Sequence, residues 1–117
     1  MHPSPHRVQA GNRYSEASVF ANVVYLAGQV ATDATQDARG QTAQVLTAVD
    51  DLLRQAGTDK TRILMCQIFL ADMADYAAMN EVWDAWVVRG NAPSRATVQA
   101  RLARPDWKIE VVVTAAI

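Results

Sequence analysis

The residues able to do chemistry are few, and they sit at strand ends. Arg95 follows Pro93-Ser94 at the mouth of an alternating segment. Glu110 lies in the last alternating run, and Tyr14-Ser15 precedes two short β-rich runs that end at Gly28. A guanidinium offers a planar fork that grips a carboxylate through two parallel hydrogen bonds. A carboxylate side chain can orient water or take up a proton. Periodicity alone also allows ordinary readings: Arg95 as a surface arginine, Glu110 as a solvated strand carboxylate, Tyr14 as a half-buried edge residue.

Other chemistries find little support. The chain has no glycine-rich phosphate cradle, nucleophile elbow or cluster of metal ligands. Its two histidines, His2 and His6, fall in a polar start, Met1 to His6, expected to fray, so neither a histidine triad nor a zinc site is expected. The single Cys66 excludes an intramolecular disulfide and a multi-thiolate metal site. Set in the run Ile63-Leu64-Met65-Cys66-Gln67-Ile68, it reads as a small buried strand residue.

With 117 residues, half of them apolar, the chain fits one compact domain spanning 1–117. Eleven basic residues against 12 acidic ones leave a formal net charge of -1, which argues against a nucleic-acid partner. There is no apolar run of the roughly 18 residues a membrane-spanning helix needs and no apolar signal core near the start, so no membrane association is expected and the expected location is cytoplasmic.

These residues need elements to position them. Val8-Gln9-Ala10, Ser18-Val19-Phe20 and Val23-Val24-Tyr25-Leu26 read as short strands, the last two joined by a tight turn at Ala21-Asn22. Residues 31 to 40 read as a loop. Val45, Leu46, Val49, Leu52, Leu53 and Ala56 form a helical stripe over Gln41 to Ala56, stopped by Gly57. Thr61 to Leu70 is apolar enough for a strand buried on both faces. Asp72 is placed to cap a second helix, about Met73 to Val88, with Tyr76, Met79, Trp83, Trp86 and Val87 on its stripe.

From Ser94 to Leu102, Ala96, Val98, Ala100 and Leu102 alternate with Arg95, Thr97, Gln99 and Arg101. In the final strand, Lys108 to Ala116, Ile109, Val111 and Val113 alternate with Lys108, Glu110, Val112 and Thr114. We expect these two strands to be adjacent, joined as a hairpin through Ala103 to Trp107. A one-residue shift of register would flip a face, so whether Arg95 and Glu110 share a side stays open. The predicted order is three strands, helix, strand, helix, two strands: an α+β sandwich with two helices on one face of the sheet. The other face, with Val112 and Thr97 among charges, is half apolar and uncovered, which predicts contact with another copy of the chain.

Several of these runs together resemble one family. Ala92-Pro93-Ser94-Arg95-Ala96-Thr97-Val98-Gln99-Ala100 and Lys108-Ile109-Glu110-Val111 look like the C-terminal signature of the RidA (YjgF) imine deaminases. Phe69 through Asn80 is similar to that family's central strand-to-helix segment. Tyr14-Ser15-Glu16-Ala17 and Ala27-Gly28-Gln29 match its N-terminal tyrosine motif and small-Gly-Gln turn, and Trp83-Asp84-Ala85-Trp86-Val87-Val88 brings the chain nearest the YoaB-like branch.

The resemblance implies a chorismate-mutase-like fold, a homotrimer with ligand clefts between subunits, and hydrolysis of reactive 2-imino or enamine acids to 2-keto acids and ammonia without metal or organic cofactor. Such intermediates are released by pyridoxal-phosphate enzymes, whose cofactors they damage. It assigns Arg95 to the substrate carboxylate and Glu110 to the attacking water. Tyr14, Gly28 and Thr97 are assigned to the ligand cleft. Asn12-Arg13 stands where many members have Gly-Pro, Ala27 replaces a common serine, Thr97 a common cysteine, and the loop from Ala31 to Gln41 is shorter than usual. None of these removes the arginine; they bear on substrate range. The alternative reading is a non-catalytic trimer binding a small metabolite such as a keto acid. Ribonuclease or translation-inhibitor activity, known among relatives, is disfavoured by the charge balance.

Overall fold

The computed structural model describes residues 3–117, so His2 lies outside it. In chain order the elements are β1 (His6–Ala10), β2 (Ser15–Phe20), β3 (Val23–Leu26), α1 (Ala38–Gln55), β4 (Ile63–Leu70), α2 (Tyr76–Trp86), β5 (Ser94–Gln99) and β6 (Ile109–Ala116). The strands form one mixed sheet in the order β1-β2-β3-β6-β4-β5. Both helices pack on one of its faces, the α+β sandwich expected from the element pattern.

Local sequence accounts for most boundaries. Ala21 and Asn22 take positive φ values of 51° and 68°, which matches the right-handed twist of a two-residue hairpin between β2 and β3. His6 is not frayed: it begins β1 and pairs with Val19. Helix α1 begins three residues before the predicted start at Gln41, because Asp37 caps it by accepting from Gly40 N at 2.9 Å. Asp72 caps as expected, but it caps a short 3-10 turn, Met73–Asp75, that leads into α2. Helix α2 stops at Trp86, and Lys60 Nζ donates to the Trp86 carbonyl at 2.7 Å, satisfying a group the helix end leaves open.

The core lies between helices and sheet. Val45, Val49 and Leu53 of α1 and Met79 of α2 meet Cys66, Ile68 and Leu70 of β4 and Val111 and Val113 of β6, all essentially fully buried. Each such aliphatic side chain contributes about 1.5–3 kcal/mol by leaving water. Trp83 is buried; Trp86 packs at the rim and donates from Nε1 to Asp50 Oδ2 at 2.9 Å, tying α2 to α1. Buried Gln41 is a polar staple: its amide donates to the carbonyls of Gln36 and Asp106, and its oxygen accepts from Lys108 N.

Three expectations are corrected. Strands β5 and β6 are not a hairpin: β5 pairs in parallel with β4, and β6 inserts between β3 and β4. The chain leaves β5 at Gln99, before the predicted Leu102, and crosses the end of β4, where Ala71 N bonds to Lys108 O and Ala100 N to Leu70 O. A parallel edge position takes as much apolar sequence as a hairpin strand, so alternation alone could not separate them.

Strand β4 is buried on one face only. Cys66, Ile68 and Leu70 point to the helices, while Met65 and Gln67 are exposed.

The polar row of β5 faces the helices. Cys66 pairs with Arg95 and Ile68 with Thr97, so Arg95 and Thr97 lie on the covered side while Ala96 and Val98 are exposed on the open one. Thr97 is therefore not on the uncovered face. Val112 is, with Phe20, Tyr25, Met65, Phe69 and Val98, so that face is half apolar, as expected.

Candidate functional site

The side chain of Arg95 leaves edge strand β5 and lies over α2. Tyr76, Asn80 and Trp83, spaced by four and three residues, share one helix face and meet it there. Nη1 of Arg95 donates to Asn80 Oδ1 at 2.8 Å and Nη2 donates to the Tyr76 hydroxyl at 3.3 Å. The guanidinium carbon lies 5.0 Å from the Trp83 ring centroid and 5.9 Å from that of Tyr76, within cation–π range. A guanidinium has five N–H donors; Nη1 also reaches Met79 Sδ at 4.0 Å, so three are engaged and the fork of Nε and the second Nη2 hydrogen remains for a carboxylate. Side chains around the arginine thus fix its orientation before a ligand arrives.

Two neighbours share this pocket side. Thr97, two residues along β5 on the same face, has a buried Oγ1 with no hydrogen-bond partner. Burial pushes the Cys66 thiol up to about 12, against a smaller opposing pull from the Arg95 charge. Cys66 is thus a protonated core residue, the small buried strand residue its surroundings predicted. The Asn80 hydrogen bond, then the Arg95 charge, lowers the Tyr76 hydroxyl below its ordinary value.

Glu110 is elsewhere. It pairs with Phe69, on the open face, while Arg95 pairs with Cys66 on the covered face. Strand β4 separates their strands, and strand spacings put the two Cα atoms on the order of 14 Å apart. Gly28 abuts Glu110: a Cβ at position 28 would sit 2.8 Å from Glu110 Cδ. The bare glycine leaves the room the carboxylate occupies. Gln29 locks that turn to β6 through paired backbone hydrogen bonds with Val111, and its side chain donates to Glu16 Oε2 at 3.2 Å. Tyr14, 62% exposed, precedes β2 at the same end of the sheet.

The five residues singled out from sequence therefore divide into two groups. Arg95 and Thr97 share the covered face at one edge. Glu110 and Gly28 share the open face at the middle, with Tyr14 at the sheet end beside them. Asn80, Tyr76 and Trp83 were not singled out as site residues. In the sequence Tyr76 and Trp83 read as part of the apolar stripe of α2, and the only signal for Asn80 is its place one turn after Tyr76. A cavity of about 690 Å³ lies along the loop after β5 between Gln99 and Trp107 and includes neither Arg95 nor Glu110. Among the described residues no helix is long and apolar enough to cross a membrane, and no three candidate ligand side chains gather into a metal-binding group.

Known proteins share this arrangement of elements. A family described as Endoribonuclease L-PSP matches residues 4–117. A RutC family protein of Haemophilus ducreyi is 52% identical over 111 residues, covering 95% of each chain. The RutC family protein YoaB of Escherichia coli is 45% identical over 111 residues, 95% of this chain and 96% of its own. A more distant relative, 33% identical over 108 residues and covering 87% of this chain and 85% of its own, is the 3-aminoacrylate deaminase RutC of Acinetobacter baylyi. The crystal structure of a YjgF family member from Neisseria meningitidis superposes with a TM-score of 0.95 at 44% identity, covering 99% of this chain and 97% of that one. The sheet with two helices on one face is thus the chorismate-mutase-like layout of that family. With its fold and nearly its whole length in agreement, the chain belongs to the YjgF (RidA) family.

Proposed function

We propose that this protein hydrolyses reactive 2-imino or enamine acids to 2-keto acids and ammonia. The observation that carries the reading is the pre-oriented Arg95, held by Asn80, Tyr76 and Trp83 with a donor fork still free. A small imino acid offers that fork a carboxylate beside its C=N bond. The relative named 3-aminoacrylate deaminase supports the reaction class.

In this reading Glu110 holds a water against the imine carbon and takes its proton as the C–O bond forms. That proton and then the hydroxyl proton of the tetrahedral carbinolamine pass to nitrogen, the C–N bond breaks, and ammonia leaves the 2-keto acid behind. Gly28 keeps the carboxylate's place open, and Thr97 and Tyr14 line the ligand. Free imines hydrolyse unaided, so orientation and one charge-assisted clamp suffice. No residue here requires a cofactor for these steps.

Because Arg95 and Glu110 face opposite sides of one sheet, the reading requires a site shared between copies. We place the protein in a homotrimer whose half-apolar open faces meet and whose clefts join the arginine of one chain to the glutamate of the next. A cytoplasmic setting suits its single free thiol and the pyridoxal-phosphate enzymes that release such imines. The net charge of -1 sets endoribonuclease activity behind deamination despite the family's description.

The test couples the purified protein to an amino-acid oxidase that generates the imine and follows imine loss by semicarbazide trapping. Wild type should lower the trapped imine, and Arg95→Ala should not. Equal trapping by the two ends the proposal. The separation of Arg95 from Glu110 within one chain also fits a clamp that only binds, and 2-oxobutanoate binding without turnover selects that reading.

A further inference from the structure

The phenol of Tyr76 has a hydrogen left to give. Its oxygen accepts from Arg95 Nη2 at 3.3 Å, and Asn80 stands one turn along the same helix. A phenol has two acceptor positions and one donor, so this incoming bond uses an acceptor and leaves its O–H unspent. The side chain is 41% exposed, and its ring lies beside the guanidinium. The unspent hydrogen therefore sits at the rim of the arginine's fork.

We propose that Tyr76 is a ligand-contacting residue, a third donor to the carboxylate that Arg95 grips. The inference rests on the reading of Arg95 as a carboxylate clamp and extends it. Three converging donors select a carboxylate over a neutral amide or ketone more sharply than the arginine alone, because a phenol–carboxylate bond is charge-assisted. The lowered pKa of the phenol makes it a better donor to that anion. Asn80 serves as a positioning residue, holding Nη1 of the arginine.

Calorimetric titration of the full-length protein with 2-oxobutanoate tests this, using wild type, Tyr76→Phe and Arg95→Ala. Tyr76→Phe removes one exposed oxygen, and its melting curve should match wild type. Its affinity should fall about tenfold, and Arg95→Ala should abolish binding. In a crystal of the wild-type complex the phenolic oxygen should lie within about 3.2 Å of a carboxylate oxygen. Unchanged affinity in Tyr76→Phe, or a phenol turned away from the ligand, overturns the Tyr76 role while the clamp stands. Binding by Arg95→Ala as tight as wild type, or none by wild type, overturns the clamp and the inference with it.

Discussion

Arg95 and Glu110 point from opposite faces of the same sheet, with β4 between their strands. One chain cannot close both side chains on a ligand as small as an imino acid. Any site that uses both must take one from each of two copies. The expected product of that constraint is a trimer in sedimentation at micromolar concentration, with a monomer for Val112→Asp, which puts a charge on the open face.

Sharing makes a second outcome quantitative. Arg95→Ala and Glu110→Gln should each be inactive alone. After unfolding and refolding together in equal amounts, random mixing should restore about a quarter of the wild-type sites. Coupled imine-trapping activity reads this directly, and no recovery would confine each site to one chain.

Gly28→Ala should act on Glu110 and not on the fold. The added methyl would collide with the Glu110 carboxyl, 2.8 Å from its Cδ, and a strand carboxylate at half exposure moves more easily than backbone. A displacement near 1 Å costs on the order of a hundredfold in rate. Deaminase activity should fall by about that factor, with the melting temperature nearly unchanged.

Gln41→Ala should destabilise the chain by on the order of 3 kcal/mol in urea unfolding, because it strips partners from the Gln36 and Asp106 carbonyls and from Lys108 N. The Lys108 contact leads straight into β6, so activity should fall as well, through the placement of Glu110.

The Cys66 thiol should resist alkylation at pH 8 in the folded protein and react at once when it unfolds, since burial raises it to about 12. The sign of its pH effect follows. The folded value lies above the ordinary thiol value, so its contribution is fully present below about pH 9 and is lost as pH rises from there toward 12. Iodoacetamide labelling with and without denaturant, and unfolding at pH 8 and 10, check both.

Sequence and tertiary structure divided the work by range. Local signals determined the β2–β3 turn at Ala21-Asn22, the α1 stripe from Val45 to Leu53, the burial of Cys66, and the candidates Arg95 and Glu110. Each depends on periods of two or 3.6 residues, or on residue type, and these survive in a linear string. Where β5 pairs, and so which way Arg95 faces, was decided by contacts across the sheet. Insertion of β6 between β3 and β4 is a long-range event, and alternation is the same for an edge strand and a hairpin strand. The Tyr76–Asn80–Trp83 cluster likewise existed in sequence only as helix spacing, and it gathered around an arginine only when β5 laid Arg95 across it.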